Sequence, residues 1–381
     1  MAIMFWIAFC AVFYAYVGYP LVLGALVLCR RRRPANITYL KWPKVSLLIS
    51  AYNEEAVIAD KIENSLALEY PPELLEIVVI SDGSTDATDS IVTSYRNRNV
   101  ILKRYEGHLG KSACLNKAVS EAAGDIIVFS DANSQYDQKA LKHLVMKFSD
   151  NSIGWVTGRT EYQSTTGGGN ISAGIYTRIE QLTKSLEGEI GSCIGADGAI
   201  FAIRRPLYRP LQDYDINDFV IPAKIIQQGY RGVLAIEAFC MEETAASAAL
   251  EFRRHIRITA RTLRAIFTHR GLLNPFVYPI FSFELASHKL MKFVTPFALG
   301  ILFFSNVVIA ATHSSYFYTA FLCLQIIGYL LWIARALNIP MSFLAGPSRV
   351  LQTFFTVNLA IVIGWVKFLR GEKYTTWQTG R

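Results

Sequence analysis

Residues 45–55 read VSLLISAYNEE and residues 77–88 read IVVISDGSTDAT, and these two stretches decide the fold. Each begins with a run of mostly apolar residues and ends in small and polar ones, the pattern of a buried strand that opens into a turn. A helical pattern follows each turn, over residues 56–68 and 88–96. The chain therefore enters this region as strand, helix, strand, helix.

The alternation continues outward from these two stretches. Strands are predicted at residues 100–103 and 126–129, with a helix over residues 111–123 between them. Strands joined by helices pair in parallel, so we expect an α/β domain built on a parallel sheet.

Polar residues stand at the carboxyl ends of three of these strands, at Asn53, Asp82 and Asp131. Ligands of open α/β sheets bind at that edge. One aspartate in such a place is often only a turn or helix-cap residue. Three polar groups on one edge favour a binding site over a solvated face.

The apolar residues of the 381-residue chain are concentrated at its two ends, and hydrophobic residues make up 52% of the whole. Residues 2–29 contain no charged side chain, and they are long enough to cross a hydrocarbon layer of about 30 Å. The predicted organisation is a transmembrane helix at residues 1–29, a globular domain at residues 44–264, interfacial helices at residues 265–290 and transmembrane helices at residues 291–370.

Charge predicts how the chain lies in a membrane. The net charge is +8, and much of the excess stands beside apolar segments, at Arg30–Arg33 and Arg253–Arg264, as positive-inside anchoring requires. We therefore expect an integral protein of a bacterial inner or plasma membrane, with a cytoplasmic globular domain and membrane lipids among its partners. Nucleic-acid binding is not expected, because no aromatic-interleaved basic groove or reader motif accompanies these charges.

The candidate C-terminal spans, residues 293–312, 316–333 and 351–366, leave a parity problem. One span before the domain and three after it would place the basic residues from Lys367 onward outside, against the positive-inside bias. Either one weak segment is re-entrant or residues 271–287 also cross, and the sequence leaves both open.

The chain lacks the glycine-rich phosphate loops of other nucleotide-binding folds. Its first turn has no G-x-G-x-x-G, and Gly110-Lys111-Ser112 resembles the end of a P-loop only superficially, because position 105 is a tyrosine. Lys111 still begins a predicted helix, where the helix dipole and the lysine charge both favour phosphate. The six cysteines show no C-x-x-C spacing, so neither a disulfide framework nor a zinc site is expected.

Four motifs in order carry a family resemblance: AYNEE at residues 51–55, SDGSTDAT at residues 81–88, GKSACLNKA at residues 110–118 and FSDAN at residues 129–133. Together they resemble the GT-A domain of family 2 glycosyltransferases, in the membrane-attached group that includes cellulose, chitin and hyaluronan synthases and related exopolysaccharide enzymes. The resemblance covers about residues 45–264. It implies an α/β, Rossmann-like GT-A catalytic domain flanked by transmembrane helices.

The resemblance implies that the donor, a nucleotide sugar, binds at the ends of the first strands; we call this the donor side. It places Asp82 near the uracil base, Lys111 near the diphosphate, and Asp131 on Mg²⁺ or Mn²⁺, which prefer oxygen ligands. The family motif is Asp-x-Asp, whereas Asn133 stands at its third position here. An amide offers a carbonyl oxygen but no negative charge, so Asp131 is expected to be the main protein ligand of the metal. The other residues implied to line the nucleotide site are Ala51, Tyr52, Glu54 and Arg257.

Arg257 is the remnant of a longer family motif. Processive members carry Gln-x-x-Arg-Trp near this position, and residues 254–258, RHIRI, keep only the arginine. An arginine at the diphosphate would stabilise the charge of the leaving group. The other arginines of residues 253–264 share one helix face and fit a basic helix on anionic lipid equally well.

The resemblance also implies an acceptor side. Inverting transfer needs a base that deprotonates the attacking hydroxyl, and the family places an acidic pair at the start of a helix. The matching stretch gives Asp218 as the catalytic base and Asp215 as its alternative. Gly195 and Asp197 correspond to the small-residue segment that shapes the acceptor pocket in the family.

The implied function is inverting, metal-dependent transfer of a sugar from a nucleotide sugar, expected to be a UDP-sugar, to a glycan or lipid-linked acceptor in polysaccharide synthesis. The alternative within this class is a single addition that makes a glycolipid or a polyprenyl-linked sugar. More remote alternatives are a nucleotidyltransferase and a non-catalytic scaffold of an export complex. The first normally has a glycine-rich signature that AYNEE does not match, and the second has no need of acidic groups at the sheet edge.

Overall fold

The computed structural model describes residues 1–29, 41–163, 171–243, 248–337, 339 and 345–375. The Arg30–Arg33 cluster, on which the predicted orientation depends, lies outside the described residues. Within them, one eight-stranded sheet forms the central domain, and apolar helices from both ends of the chain pack beside it.

The sheet is mixed. Its strands are β1 Val45–Ala51, β2 Leu75–Ser81, β3 Val100–Arg104, β4 Ile126–Asp131, β5 Gln135–Tyr136, β6 Ile153–Gln163, β7 Ile200–Arg204 and β8 Arg231–Glu243. Their order across the sheet is β3-β2-β1-β4-β7-β6-β8-β5. Strands β1 to β4 are parallel, β7 is antiparallel to both of its neighbours, and β6 and β8 are again parallel. The four predicted strands are confirmed, whereas the mixed half of the sheet was not predicted.

Helices connect the strands and extend beyond them. The α-helices of the described residues are α1 Ala2–Phe13, α2 Tyr19–Cys29, α3 Ile58–Leu66, α4 Thr88–Ser94, α5 Lys111–Glu121, α6 Ala140–Met146, α7 Ile171–Ile190, α8 Asn217–Ile226, α9 Ala248–Thr268, α10 Pro279–Leu285, α11 Met291–Thr312, α12 Tyr316–Ala336 and α13 Ala345–Leu369. A π-helical turn, Tyr14–Gly18, joins α1 to α2, and another, Ala286–Leu290, joins α10 to α11. Each pair therefore forms one continuous rod.

Strand β1 lies inside the parallel half of the sheet, and all seven of its residues are buried. Leu48 packs into the core on one face, whereas Leu47 and Ile49 pack into the core on the other. A strand covered on both faces carries a continuous apolar run rather than an alternation. This is why the run at residues 45–50 predicted a buried parallel strand.

The register of these strands brings their polar ends together. Ala51 pairs with Ser81 of β2, and Ser50 pairs with Asp131 of β4. Asp82 directly follows Ser81, so the three predicted polar groups emerge from one edge of the sheet. The βαβ order read from the sequence thus fixes where a ligand site can form.

Four described helices are long and apolar enough to cross a membrane: Ala2–Cys29, Pro279–Thr312, Tyr316–Ala336 and Val350–Leu369. The second includes residues 279–287, which the sequence assigned to an interfacial helix. Beside it, Phe276 of the preceding loop has 96% of its surface exposed, as a residue at a lipid surface would.

The last apolar helix, α13, begins and ends on the side of the central domain. Helix α11 leaves the domain, because Lys292 at its start pairs with Glu180 of α7 at 2.7 Å. A turn of only three residues, 313–315, then sends α12 back. At the returning end of α12, Arg335 donates to Gln352 near the start of α13 at 3.0 Å.

The far end of α13 is fixed by contacts with the domain itself. Arg264 of α9 donates to the carbonyl of Glu372, just past the end of α13, at 2.9 Å. Within α13, Trp365 donates to the carbonyl of Phe293 at the start of α11, also at 2.9 Å. Lys367, Arg370 and Lys373 therefore lie beside the central domain.

Candidate active site

Hydrogen bonds between the first two turns build one wall of the site. The Asn53 side chain accepts the Thr85 N–H at 2.8 Å, and the Glu54 N–H donates to the Thr88 hydroxyl at 2.8 Å. Asn53 has a positive φ of 53°, a conformation that asparagine tolerates better than most residues. The AYNEE and SDGSTDAT motifs are thus two halves of one structure.

Asp82 is fully buried, and its carboxylate is engaged by the loop before α5. It accepts the N–H groups of Leu109 at 2.6 Å and Gly110 at 2.9 Å, and the Cys114 thiol donates to it at 3.2 Å. A carboxylate that accepts two backbone N–H groups fixes that loop in place. In the structure Asp82 therefore shapes the entrance to α5, and its predicted contact with uracil stays a prediction.

The Tyr52 and His108 rings lie together beside this loop. Their centroids are 4.2 Å apart with an interplanar angle of 40°. Either ring face is a surface on which a planar base can stack. Sequence reasoning selected Tyr52 but missed His108, whose only signal is its place directly before the Leu109-Gly110-Lys111 turn.

Lys111 and Asp131 meet at the centre of the sheet edge. Lys111, the first residue of α5, forms an ion pair with the carboxylate at the end of β4. Asn133 follows two residues later and is partly exposed. The Lys111–Asp131 pair therefore lies where the sequence predicts a diphosphate and a metal ion, with Asn133 close to it in the chain.

This donor set suits a hard cation that shares its shell with a substrate. Among the described residues, no group of three or more His, Cys, Asp or Glu side chains could hold a metal ion alone. Mg²⁺ is usually held by one or two carboxylates, with phosphate oxygens and waters completing the shell. Asp131 and Asn133 fit that pattern, with Asn133 supplying a neutral ligand.

A buried lysine supports the loop that carries Asp131. The Lys61 side chain is fully buried in α3 and donates to the carbonyl of Ser134 at 2.5 Å, 3.9 Å above the Tyr136 ring. Burial lowers the pKa of Lys61 to about 7. Sequence reasoning missed Lys61, because it stands between Ile58 and Ile62 on the buried face of a helix, where a lysine is rare.

Two further charged groups near Asp131 were also missed. Glu242 at the end of β8 is buried, and burial together with the charges of Asp131 and Asp197 raises its pKa to about 7. Arg254 of α9 interacts electrostatically with both Glu242 and Asp131. Arg257, predicted for the diphosphate, instead has Arg254 and Tyr374 as its charged surroundings.

On the acceptor side, Asp218 stands in the first turn of α8 against small residues. A Cβ added to Gly198 would lie 3.2 Å from the Asp218 carboxylate, and the Ala196 N–H donates to the Asp218 carbonyl at 2.7 Å. Burial raises the pKa of Asp218, although Lys111 and Arg261 oppose the shift. The charge of Lys111 thus reaches both Asp131 and Asp218.

Two other predicted acidic groups are held by protein partners. Asp215 is buried; its carboxylate accepts the Gln212 N–H at 2.9 Å, and its carbonyl accepts from Ser112 at 2.8 Å. Asp197 accepts both the N–H and the hydroxyl of Thr160, at 3.0 and 2.9 Å. Both carboxylates are therefore already engaged by neighbouring groups of the protein.

The C-terminal tail reaches the donor side. A Cβ on Gly110 would lie 2.2 Å from the carbonyl of Thr375, so that position accommodates only glycine unless the tail moves. Lys373 lies 5.0 Å above the Tyr214 ring. Residues beyond Thr375 lie outside the described chain.

Comparison with known families agrees with this geometry. The family model described as "Glycosyl transferase family 2" matches residues 46–208, which include the Lys111–Asp131 pair and the small residues beside Asp218. Residues 46–208 are a family 2 glycosyltransferase domain. The family predicted from the four motifs is confirmed.

Similar curated proteins align with the family 2 domain over part of their length. A probable glycosyltransferase, YdaM, of Bacillus subtilis (strain 168) is 37% identical over 31% of this chain and 29% of its own. The β-monoglucosyldiacylglycerol synthase of Nostoc sp. is 37% identical over 30% of this chain and 25% of its own. The poly-β-1,6-N-acetyl-D-glucosamine synthase of Staphylococcus aureus (strain COL) is 26% identical over 49% and 47%. The chain thus matches less than half the length of each relative.

A solved structure is similar over nearly the whole chain. A mannosyltransferase from Pyrobaculum calidifontis superposes with a TM-score of 0.72 at 21% identity, covering 97% of this chain and 99% of its own. At this identity the likeness shows the fold alone. The predicted fold class, a GT-A α/β domain flanked by apolar helices, is confirmed.

Proposed function

We propose that the chain transfers a sugar, with inversion, from a nucleotide diphosphate sugar to a glycan or lipid-linked acceptor at a membrane surface. One observation carries the proposal: Lys111 pairs with Asp131 on the donor side while its charge also reaches Asp218 on the acceptor side. A single edge of the sheet thus gathers groups suited to a diphosphate and to a base. The family 2 match favours sugar transfer over a nucleotidyltransferase or a scaffold.

Donor binding is assigned to the ends of β1, β2 and β4. Tyr52 and His108 offer the base an aromatic surface, and Lys111 offers the diphosphate a positive charge at a helix N-terminus. Binding of the diphosphate would replace Asp131 as the partner of Lys111. Arg254, rather than Arg257, is then the arginine of α9 that faces the same charges.

Asp131 and Asn133 would hold the divalent cation, Mg²⁺ or Mn²⁺. When bound, such a cation neutralises the charge that the diphosphate gains as it leaves. The Pyrobaculum mannosyltransferase was solved with GDP-Man and Mn²⁺, so both UDP- and GDP-sugars belong among the donors to be tested, with a UDP-sugar as the proposed one.

Asp218 is the proposed general base. Its raised pKa makes the carboxylate a better proton acceptor than an exposed aspartate, and a base is most effective when its pKa lies near the working pH. It would take the proton of the acceptor hydroxyl as that oxygen attacks the anomeric carbon from the face opposite the diphosphate. Gly195 and Gly198 leave room for the acceptor beside it.

We further propose three membrane crossings, with the family 2 domain on the cytoplasmic face. Helix α13 would lie at the interface, because both of its ends are on the side of the domain. Three crossings also leave the C-terminal basic residues inside, which removes the parity problem and agrees with the positive-inside bias.

The test is a donor screen on purified full-length protein in lipid nanodiscs, with Mg²⁺ or Mn²⁺ and a panel of UDP- and GDP-sugars. Nucleotide release with one donor, abolished by chelation, is expected. Failure to turn over any nucleotide sugar in the presence of membrane lipid extracts and glycan acceptors would overturn the proposal.

Product analysis then separates the two modes of transfer. A ladder of products would establish polymer synthesis, the mode we propose. A single product would establish the alternative, one addition to a glycolipid or polyprenyl-linked acceptor.

A further inference from the structure

Four polar side chains meet in the interior between the family 2 domain and the apolar helices. This junction cluster consists of Tyr19 of α2, Glu180 and Glu187 of α7, and His288 of the π-helical turn between α10 and α11. Tyr19, Glu187 and His288 are at most 1% exposed. Burying charged groups is costly unless they are paired, so such a cluster requires an explanation.

Glu187 is the centre of the junction cluster. One carboxylate oxygen accepts the Tyr19 hydroxyl at 2.8 Å and lies 2.7 Å from Nδ1 of His288. Nε2 of His288 lies 2.9 Å from the Glu180 carboxylate. Because both ring nitrogens face carboxylate oxygens, the doubly protonated ring satisfies both contacts with N–H donors.

The second carboxylate oxygen of Glu187 points into the catalytic domain. It accepts the N–H of Ile194 at 3.1 Å. Ile194 belongs to residues 191–198, GSCIGADG, which we call the acceptor segment. One carboxylate thus joins a helix from the start of the chain, a turn near residue 288 and the acceptor segment.

The acceptor segment leads from this contact directly to the proposed base. Directly after Ile194, Gly195 adopts a positive φ of 79°, which turns the chain towards α8. The next N–H, that of Ala196, donates to the carbonyl of Asp218 at 2.7 Å. Only one residue, Gly195, therefore separates the amide bound to Glu187 from the amide bound to the backbone of the base.

A second contact holds the start of the same segment to the apolar helices. The carboxylate of Glu284 in α10 accepts the Ser192 N–H at 3.2 Å. A Cβ on Gly191 would lie 2.5 Å from Ile280 of α10, so glycine permits this close approach. Helices α2, α7 and α10 thus constrain the segment at two of its backbone N–H groups.

We propose that Glu187 is a positioning residue through which the apolar helices set the shape of the acceptor pocket. Stability alone does not require it, because apolar residues of similar volume replace buried ion pairs without loss in many proteins. A replacement without a carboxylate would nevertheless free the Ile194 N–H and release the turn at Gly195. This inference rests on the proposed function, since it concerns the acceptor of that reaction.

The test is Glu187→Gln in the full chain in nanodiscs. With the His288 ring doubly protonated, the amide oxygen of the variant is needed by Tyr19 and by the Nδ1–H of His288, so its NH2 group is left facing the Ile194 N–H. We expect the acceptor KM to rise about tenfold to a hundredfold, the scale on which small displacements in a site act. Donor KM and nucleotide release without acceptor should stay within about twofold of the wild type. The matched control is Glu189→Gln, an exposed position on the same helix, which should leave all three values unchanged.

Amide hydrogen exchange supplies a readout that does not depend on activity. Exchange at Ile194 and its neighbours should accelerate in Glu187→Gln, while the loop at residues 108–110 keeps its protection. Tyr19→Phe, which retains the carboxylate, should shift exchange in the same direction by less.

Each outcome is decisive. Unchanged exchange at the acceptor segment would overturn the structural link, and faster exchange with an unchanged acceptor KM would overturn the positioning role. Equal increases in donor and acceptor KM would indicate general damage and also overturn it. If the wild type uses no nucleotide sugar, the proposed function fails, and the exchange result still decides whether Glu187 holds the segment.

Discussion

The donor and acceptor sides of this site are built in different ways. On the donor side, Lys111 and Asp131 are 20 positions apart, and Asp82 and Leu109 are 27 apart, each pair joining turns of the same βαβ series. On the acceptor side, Ser112 bonds to Asp215 across 103 positions, and Tyr19 bonds to Glu187 across 168. The donor side is therefore a product of local strand order, whereas the acceptor side depends on packing of the whole chain, including its membrane helices. Substitutions on the donor side should therefore alter nucleotide binding, whereas substitutions on the acceptor side should alter transfer to the acceptor.

The largest expected effect is that of Asp218→Asn. Loss of the proposed base should lower the rate of transfer about 10²- to 10⁴-fold, the usual contribution of a general base. Nucleotide affinity, measured by calorimetry, should change little, because Asp218 lies on the acceptor side. Loss of nucleotide binding in a folded variant would show that the two sides are not separable.

Asp131→Asn should produce the next largest effect, confined to the donor side. Removal of the carboxylate leaves only neutral oxygens for the cation, so the affinity for nucleotide in the presence of Mn²⁺ should fall by about a hundredfold. Without a divalent cation, the variant should bind nucleotide at least as tightly as the wild type, because Asp131 no longer competes with the diphosphate for Lys111. Titrations with and without Mn²⁺ check this, and an equal loss under both conditions would contradict the metal assignment.

Glu242→Gln tests the region between the donor and acceptor sides, because Glu242 interacts electrostatically with both Asp131 and Asp197. Its folded-state pKa of about 7 lies above the usual value of 4.5. Its contribution to stability is therefore fully present below pH 4.5 and is lost as pH rises through 7. In metal-free buffer the variant should be more stable than the wild type at pH 8, by on the order of 1–2 kcal/mol, and nearly equal at pH 4.5. Thermal unfolding between pH 4.5 and pH 8 measures the difference in stability between the variant and the wild type. A difference that does not grow with pH would contradict the raised pKa of Glu242.

Gly198→Ala should have the smallest effect of this series. The added Cβ would lie 3.2 Å from the Asp218 carboxylate, a tight contact that the side chain can relieve by a small shift. We expect acceptor KM to rise by less than about tenfold, with donor KM unchanged, because one methyl group in a pocket is worth about 1–3 kcal/mol at most. Steady-state kinetics with varied acceptor concentration measure the acceptor KM. A change in donor KM alone would contradict the assignment of Gly198 to the acceptor side.

Sequence reasoning placed the polar ends of the first strands correctly because their signals are local. The apolar runs before Asp82 and Asp131 predicted strands, and the parallel order placed their ends on one edge. The role of Arg257 at the diphosphate stays a prediction, and Arg254, three residues earlier on the same helix, is an arginine that interacts electrostatically with Asp131. Helical spacing identifies a shared face but does not say which residue on it meets a distant strand.

Glu242 and Lys61 escaped notice for a related reason. Both are charged residues within otherwise regular secondary structure, where sequence patterns indicate a solvated face. Pairing with β5 and β6 brings β8 beside the loop of Asp131, and packing of α3 carries Lys61 beneath Ser134. Neither neighbour is near in sequence.

The sequence by itself determined the α/β class, the parallel half of the sheet, the edge at which the site forms and the presence of apolar helices. These follow from periodicity, turn residues and composition, which neighbouring residues encode. Only the tertiary structure decided that α13 returns to the domain and that Glu187 connects the apolar helices to the acceptor segment. Such contacts join segments more than a hundred positions apart, and they exist only when the whole core packs, because a buried polar group takes whichever partner the surrounding packing brings to it.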